Sequence, residues 1–175
     1  MGFWKRWRRR LPSVHPQILI HEAVLPETMR VLQRSRDAQS AHESIVYWAG
    51  KTTDSAWIIT TSIAPTAVTT WGSFQTSAAS NAEVITFLAT HVLELLAQVH
   101  SHPGSCVDHS DGDDEGALMP YENYLSLIVP NYAKKGMLPL TGCGIHCFNT
   151  GQFKRLTNQE IDKLFKIIPS HQSFG

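Results

Sequence analysis

The segment from Val99 to Pro103 carries two histidines, His100 and His102, that are candidates to bind one metal ion. The residues from Ala97 to His102 predict a β-strand, and side chains two positions apart on a strand point to the same face. Two imidazoles placed in this way can close on one zinc ion, with nitrogens at ~2.0–2.1 Å. A third ligand and one open coordination position would make such a site catalytic rather than structural.

The polar, acidic loop from Gly104 to Gly116 is the expected source of the third ligand. Pro103 directs the chain out of the sheet, so the loop can fold back toward the histidines. The candidates in this loop are its four aspartates and one imidazole: Asp108, Asp111, Asp113, Asp114 and His109. The residue types alone leave the choice among these side chains open.

The spacing of these residues is more specific than their types. The histidines stand in His-Ser-His-Pro, ten residues separate His102 from Asp113, and Ser110 precedes that aspartate by three positions. This pattern resembles the JAMM motif of the JAB/MPN metalloproteases, which include deubiquitinating isopeptidases and bacterial relatives. The resemblance implies one catalytic Zn²⁺ held by His100, His102 and Asp113. It also implies that Ser110 hydrogen-bonds to the substrate oxyanion or the bound water.

The same family pattern requires a glutamate upstream, near the start of a strand. Glu43 stands at the start of the apolar segment that ends at Gly50. Its implied role is general base, taking a proton from water and passing it to the leaving nitrogen. Family members often carry more glycines in this segment than this chain does, so the match at Glu43 is less specific than the match at His-Ser-His-Pro. Glu22 is the alternative base.

The order of predicted elements favours an α/β fold of the α+β, layered sandwich type. Predicted strands cover Gln17–Ala23, Glu43–Gly50, Ala56–Ala64, Thr69–Gln75, Ala97–His102, Leu125–Val129, Gly142–Phe148 and Gln152–Leu156. Predicted helices cover Leu25–Arg36, Ser80–Leu96, and a final segment that opens with a capping box at Thr157 and extends to Ile168. The resemblance implies a JAB/MPN, cytidine-deaminase-like sandwich, in which helices flank a mixed β-sheet.

The composition is that of an ordinary soluble domain. The 175 residues are 42% hydrophobic and 17% charged, and no run of ~18 apolar residues predicts a membrane span. We divide the chain into a basic, aromatic arm (1–16), a metalloprotease domain (17–170) and a C-terminal tail (171–175). The arm has no apolar segment typical of a secretory signal, so a cytoplasmic location is expected.

The arm and the cysteines leave several interpretations open. The arm is either a solvated terminus or a contact for an acidic partner, a membrane surface or nucleic acid, although no nucleic acid partner is expected for the domain. Cys106 is either a small filler or a redox-sensitive thiol. Cys143 and Cys147 lie too far apart along a strand to share a second zinc ion, so buried free thiols are expected.

The resemblance implies hydrolysis of the bond after the C-terminus of a ubiquitin-like protein. Only a short segment separates Asp113 from the predicted strand at Leu125, which leaves little room for the insertions of eukaryotic linkage-specific members. The chain therefore resembles compact bacterial members that work with E1- and E2-like proteins in conjugation or anti-phage systems. The alternatives are a hydrolase acting on a sulfur-carrier protein or small amide, and a metal-containing scaffold module.

Overall fold

An eight-stranded mixed sheet organises the computed structural model, which describes residues 16–34, 41–171 and 173. Its strands are β1 (Gln17–His21), β2 (Ile45–Thr52), β3 (Ala56–Ile63), β6 (Glu94–Ser101), β7 (Leu125–Val129), β8 (Gly144–Asn149), β9 (Gln152–Arg155) and β10 (Phe165–Ile168). A separate hairpin is formed by β4 (Ala67–Thr70) and β5 (Ser73–Thr76). The helices are α1 (Val24–Leu32), α2 (Ala78–Thr90), α3 (Asp111–Glu115) and α4 (Asn158–Leu164).

The sheet order is β10-β1-β3-β2-β6-β7-β8-β9. The central strand β2 pairs antiparallel with β3 and β6, whereas β6 and β7 are parallel. Strand β1 runs parallel to both β3 and β10. The predicted mixed sheet is therefore confirmed, and β6, which carries His100 and leads directly to His102, lies in its interior between two hydrogen-bonded neighbours.

Helices cover both faces of the sheet because β2 is apolar on both sides. Val46 and Trp48 point into the larger core, which also contains residues of α1 and α4. The alternate residues of β2 point to the opposite face and pack with Val84 and Leu88 of α2. This layered arrangement confirms the predicted α/β sandwich. Within the described ranges, the helices are too short and too polar to cross a bilayer.

Two predicted elements are divided differently in the structure. The single strand predicted over Thr69–Gln75 is a hairpin with its turn at Trp71 and Gly72, because β4 and β5 pair with each other. The helix predicted over Ser80–Leu96 begins after its N-cap Ser77 and ends at Thr90. The following residues join β6, since pairing with β2 there outweighs their helical spacing.

Two further segments also differ from the prediction. The loop from Gly104 to Gly116 contains the short helix α3. The capping box at Thr157 is confirmed, but α4 ends at Leu164, and the apolar residues up to Ile168 pair with β1 as a strand. Residues 1–15 of the predicted arm (1–16) and residues 35–40 lie outside the described residues, so the proposed domain boundaries stay predictions.

The loop that carries the third ligand lies directly against Gly144 at the start of β8. A Cβ atom at this position would stand 1.9 Å from the Val107 carbonyl oxygen. Gly144→Ala must therefore displace backbone, and we expect it to lower the free energy of unfolding by about 2–3 kcal/mol. Chemical denaturation of the metal-free protein measures this loss. Gly104→Ala is the control, because its Cβ meets no atom within 4 Å; equal losses in both variants would contradict the account.

Candidate active site

Strand β6 carries His100 in the interior of the sheet, and His102 follows directly after the last residue of the strand, Ser101. His100 lies opposite Ile45 of β2 and Ile128 of β7 and is fully buried. The backbone N–H of His102 donates to the Val129 carbonyl at 3.0 Å, which keeps the end of the strand in register. The two ring centroids are 5.0 Å apart. The predicted projection of both imidazoles to one face is confirmed.

Helix α3 delivers the carboxylate of Asp113 to the histidines. Ser110 is the N-cap, and Asp113 at the third helical position completes a capping box. The Oδ2 atom of Asp113 accepts hydrogen bonds from the Ser110 backbone N–H and from Ser110 Oγ, both at 2.8 Å. These two hydrogen bonds fix the Asp113 carboxylate so that its Oδ1 atom faces His100. Ser110 thus contacts a candidate ligand, and its predicted contact with substrate stays a prediction.

The ligand atoms of the three side chains have the separations that a tetrahedral ion requires. His100 Nε2 lies 3.1 Å from His102 Nε2 and 3.0 Å from Asp113 Oδ1. His102 Nε2 lies 3.3 Å from Asp113 Oδ2. Donors bound to tetrahedral zinc at ~2.0–2.2 Å lie roughly 3.3 Å from one another. The donor set therefore fits one zinc ion, and no other described group of three His, Cys, Asp or Glu side chains converges in this way.

Glu43 stands beside this site because the start of β2 is tied to the end of β6. The Ser44 carbonyl accepts from the Ser101 N–H at 3.1 Å, and the Ser44 N–H donates to Ser101 Oγ at 3.2 Å. The Glu43 N–H donates to the Thr70 carbonyl of β4 at 2.8 Å. Glu43 is only 4% exposed. A carboxylate held here without touching the three ligands suits the role of a base.

The β4–β5 hairpin covers one side of the site, and sequence reasoning missed both of its contacts. The Phe74 ring packs 5.1 Å from the His100 ring, measured between centroids. Tyr132 Oη donates to the Trp71 carbonyl at the hairpin turn at 2.6 Å, while its backbone N–H donates to the His102 carbonyl at 2.8 Å. Tyr132 therefore joins the end of the histidine strand to the hairpin. No spacing rule connects these distant residues.

The other sequence candidates lie apart from the three ligands. Glu22, the alternative base, follows β1, which is separated from β6 by two strands, and it accepts hydrogen bonds from Ser170. Asp108 pairs with Arg155 at 2.6 Å. Asp111 is exposed, and Asp114 pairs with His109. The free thiol of Cys106 is exposed, and Cys143 and Cys147 are buried free thiols, as expected.

The environment of the site shifts the pKa values of its members. Burial raises the pKa of Glu43 to about 7; the charge of His102 opposes this rise and that of Asp113 adds to it. Burial also favours the neutral form of Asp113, but hydrogen bonds from His100 and His102 hold its pKa far below the usual range. Burial lowers the pKa of His100. For His102, burial is outweighed by the hydrogen bond to Asp113, so its pKa is raised.

These shifts predict that zinc affinity increases with pH. A histidine ligates through an unprotonated nitrogen, so a proton on His102 competes with the metal below its raised pKa. We expect tighter zinc binding at pH 8 than at pH 6, by at most about 100-fold, because displacement of one proton changes the affinity tenfold per pH unit. Competition against a chelator of known pH dependence measures the affinity. An affinity that is constant between these pH values would contradict this assignment.

Comparisons with known proteins agree with this site. No protein-family model matches the chain. The chain is 34% identical over 101 residues to the probable metalloprotease y4jG of Sinorhizobium fredii (strain NBRC 101917 / NGR234). That match covers 55% of this chain and 62% of the relative, so the chain spans about three fifths of the relative's length.

Two solved structures are similar in shape. The solution structure of protein DSY2949 from Desulfitobacterium hafniense matches with a TM-score of 0.61 and 13% identity, covering 89% of this chain and 94% of that chain. The crystal structure of AF2198, a JAB1/MPN domain protein from Archaeoglobus fulgidus, matches with a TM-score of 0.41 and 14% identity, covering 83% and 97%. The DSY2949 match shows a shared fold. The chain is thus similar in sequence to a probable metalloprotease, and its own motif residues His100, His102 and Asp113 converge.

Proposed function

We propose that the chain is a zinc-dependent isopeptidase or peptidase that cleaves the bond after the C-terminus of a ubiquitin-like protein. The observation that carries the proposal is the convergence of His100, His102 and Asp113 on one point, with Glu43 buried beside them. When bound there, zinc would acidify a water molecule and polarise the scissile carbonyl. The family resemblance supports the ubiquitin-like substrate.

Glu43 is suited to move a proton in both directions. Its raised pKa, about 7, lies near neutral pH, where a general base is most effective. A divalent cation nearby would favour its charged form and so prepare it to accept a proton from the attacking water. The resulting carboxyl group can then donate that proton to the departing amine. The proposed contact of Ser110 with the substrate oxygen requires its hydroxyl proton to rotate away from Asp113 Oδ2, because a serine hydroxyl has one proton to donate.

The β4–β5 hairpin supplies a surface for an extended peptide tail. It forms a two-stranded sheet of its own, so among the described strands each of its members has one unpaired edge. A peptide can add to such an edge through main-chain hydrogen bonds. The side chains of Val68 and Trp71 are 73% and 72% exposed on this hairpin. They offer apolar contacts to a tail that leads to the scissile bond beside Glu43.

The proposal is tested with a ubiquitin-like protein that carries a short C-terminal peptide extension. We expect the zinc-loaded protein to release the extension by one cut directly after the ubiquitin-like tail, and a chelator to stop the reaction. A small amide offered in parallel separates the alternatives. Cleavage of the amide alone favours the small-molecule hydrolase, and cleavage of neither substrate by protein that holds one zinc ion favours a scaffold.

The proposed setting is the bacterial cytoplasm, with E1- and E2-like proteins as partners in a conjugation or anti-phage system. This setting follows from the family resemblance and from the short segment between Asp113 and β7, which leaves little room for linkage-specific insertions. Conjugation genes next to the gene for this chain would support it. A gene neighbourhood that holds sulfur-carrier biosynthesis instead would favour the alternative substrate.

A further inference from the structure

The two metal-binding histidines differ in what their second ring nitrogen contacts. His102 Nδ1 lies 3.2 Å from the Cys106 carbonyl oxygen, a normal partner for a ligating histidine. His100 Nδ1 is buried and has no hydrogen-bond partner among the described residues. Ligating histidines nearly always donate this N–H to a carbonyl, a carboxylate or water, which orients the ring and strengthens the ligand. His100 Nδ1 therefore lacks, among the described residues, the partner that a ligating histidine normally has.

A second buried histidine lies behind His100. The His109 ring is 6.4 Å from the His100 ring between centroids, and its side chain is 7% exposed. His109 Nδ1 lies 2.5 Å from Asp114 Oδ1. Its other nitrogen, Nε2, is buried and without a hydrogen-bond partner in the described part of the chain. In the tautomer whose Nδ1–H donates to Asp114, the Nε2 atom of His109 is an acceptor.

A third histidine completes the cluster. The His146 ring lies 4.2 Å from the His109 ring, and Phe153 packs on His109 at 4.5 Å, both measured between centroids. His146 Nδ1 is also buried, again with no hydrogen-bond partner in the described ranges. Burial lowers the pKa of His146 to about 4, so the ring is neutral near pH 7 and can accept a hydrogen bond.

One water molecule would satisfy all three buried nitrogens. It would accept the Nδ1 proton of His100 and donate its two protons to His109 Nε2 and His146 Nδ1. Three hydrogen bonds to otherwise unsatisfied buried groups are typical of an internal water. The alternative leaves three buried polar atoms unpaired within one small region, each at a cost of about 1–3 kcal/mol.

We propose that His109, backed by Asp114, is a positioning residue of the metal site that orients His100 through a shared buried water. The inference rests on the metal binding in the proposed function, but not on the identity of the substrate. The hydrogen-bonded groups would follow one another in the order Asp114, His109, water, His100 and metal. This is an extended form of the carboxylate–histidine–zinc arrangement. It assigns a use to a buried histidine that the proposed hydrolysis itself does not require.

The test measures zinc affinity by competition against a chromophoric chelator, with no activity assay. His109→Phe keeps the ring packing on His146 and Phe153 but removes the acceptor, and we expect zinc to bind about 10–100-fold more weakly. His109→Gln retains an acceptor and should recover much of the loss. His91→Phe, at an exposed histidine of the α2 C-terminus, is the matched control and should leave the affinity unchanged. Equal affinity in the parent and His109→Phe would overturn the proposal, as would a Gln variant no better than Phe.

A second variant tests the inference independently if His109→Phe does not fold. Asp114 is 52% exposed at its side chain, so Asp114→Asn removes the charged partner of His109 without opening the core. We expect weaker zinc binding with an unchanged thermal unfolding midpoint of the metal-free protein, and unchanged binding would contradict the proposal. A parent that binds one zinc ion but cleaves no fusion would end the proposed function and leave this inference standing. Equal zinc affinity across the variants would end only the inference.

Discussion

Replacing Glu43 by glutamine is expected to slow amide hydrolysis by at least about 100-fold, the usual contribution of a general acid–base group. Glutamine has the same shape but cannot accept a proton from water or return one to the leaving amine. Glu43 is not among the three converging ligands, so the variant should still bind one zinc ion per chain. Single-turnover cleavage of the ubiquitin-like fusion, with metal content measured on the same sample, gives both quantities.

Glu22→Gln is the matched control, because Glu22 is the other candidate base and lies beyond two intervening strands. Its cleavage rate should stay close to that of the parent. The Glu43→Gln protein should be no less stable than the parent above pH 7, since a buried carboxyl group with a raised pKa stabilises the fold only while it is protonated. Rapid cleavage by Glu43→Gln would move the base to another residue.

Asp113→Asn is expected to weaken zinc binding by more than about 100-fold. This loss is larger than the one expected when only a hydrogen-bond partner of a metal ligand is removed. The change removes the negative ligand that faces both histidines. It keeps a side-chain oxygen that can accept from the Ser110 N–H, so the cap of α3 should persist. The affinity is measured by chelator competition, and far-ultraviolet circular dichroism reports whether the fold is retained.

Asp111→Asn provides the control for charge alone. Asp111 lies in the first turn of the same helix but is exposed to solvent. Its loss removes one unit of negative charge from the loop without touching the ligand set, so zinc affinity should change little. Equal weakening by Asp111→Asn and Asp113→Asn would show that the field of the acidic loop, rather than one carboxylate, holds the metal.

The shared direction of the two candidate histidines was predictable because its geometry is local. Residues two apart on a strand share a face, so His100 and His102 had to project together once β6 formed. Asp113 was selected from the four loop aspartates only by its resemblance to a motif spacing. The structure adds the physical reason: Ser110 caps α3 and Asp113 is the residue that closes the capping box. The Ser-x-x-Asp pattern was visible in the sequence and could have predicted this short helix.

The surroundings of the site were not predictable because they come from distant parts of the chain. Phe74 reaches His100 through a hairpin that the sequence suggested only as one strand. Strand alternation predicts His146 on the face opposite to Cys147, but its contact with His109 comes from a loop that is distant in sequence. The final strand β10 was read as helix because a short apolar run fits both structures until its partner, β1, is known.

The assignment of His100, His102 and Asp113 as metal ligands is tested by locating the metal itself. A crystal of the zinc-loaded protein, measured on both sides of the zinc absorption edge, locates the ion without reference to activity. The account predicts one anomalous peak per chain within ~2.0–2.2 Å of His100 Nε2, His102 Nε2 and an Asp113 carboxylate oxygen. A peak at any other set of side chains, or no peak in protein saturated with zinc, would contradict it.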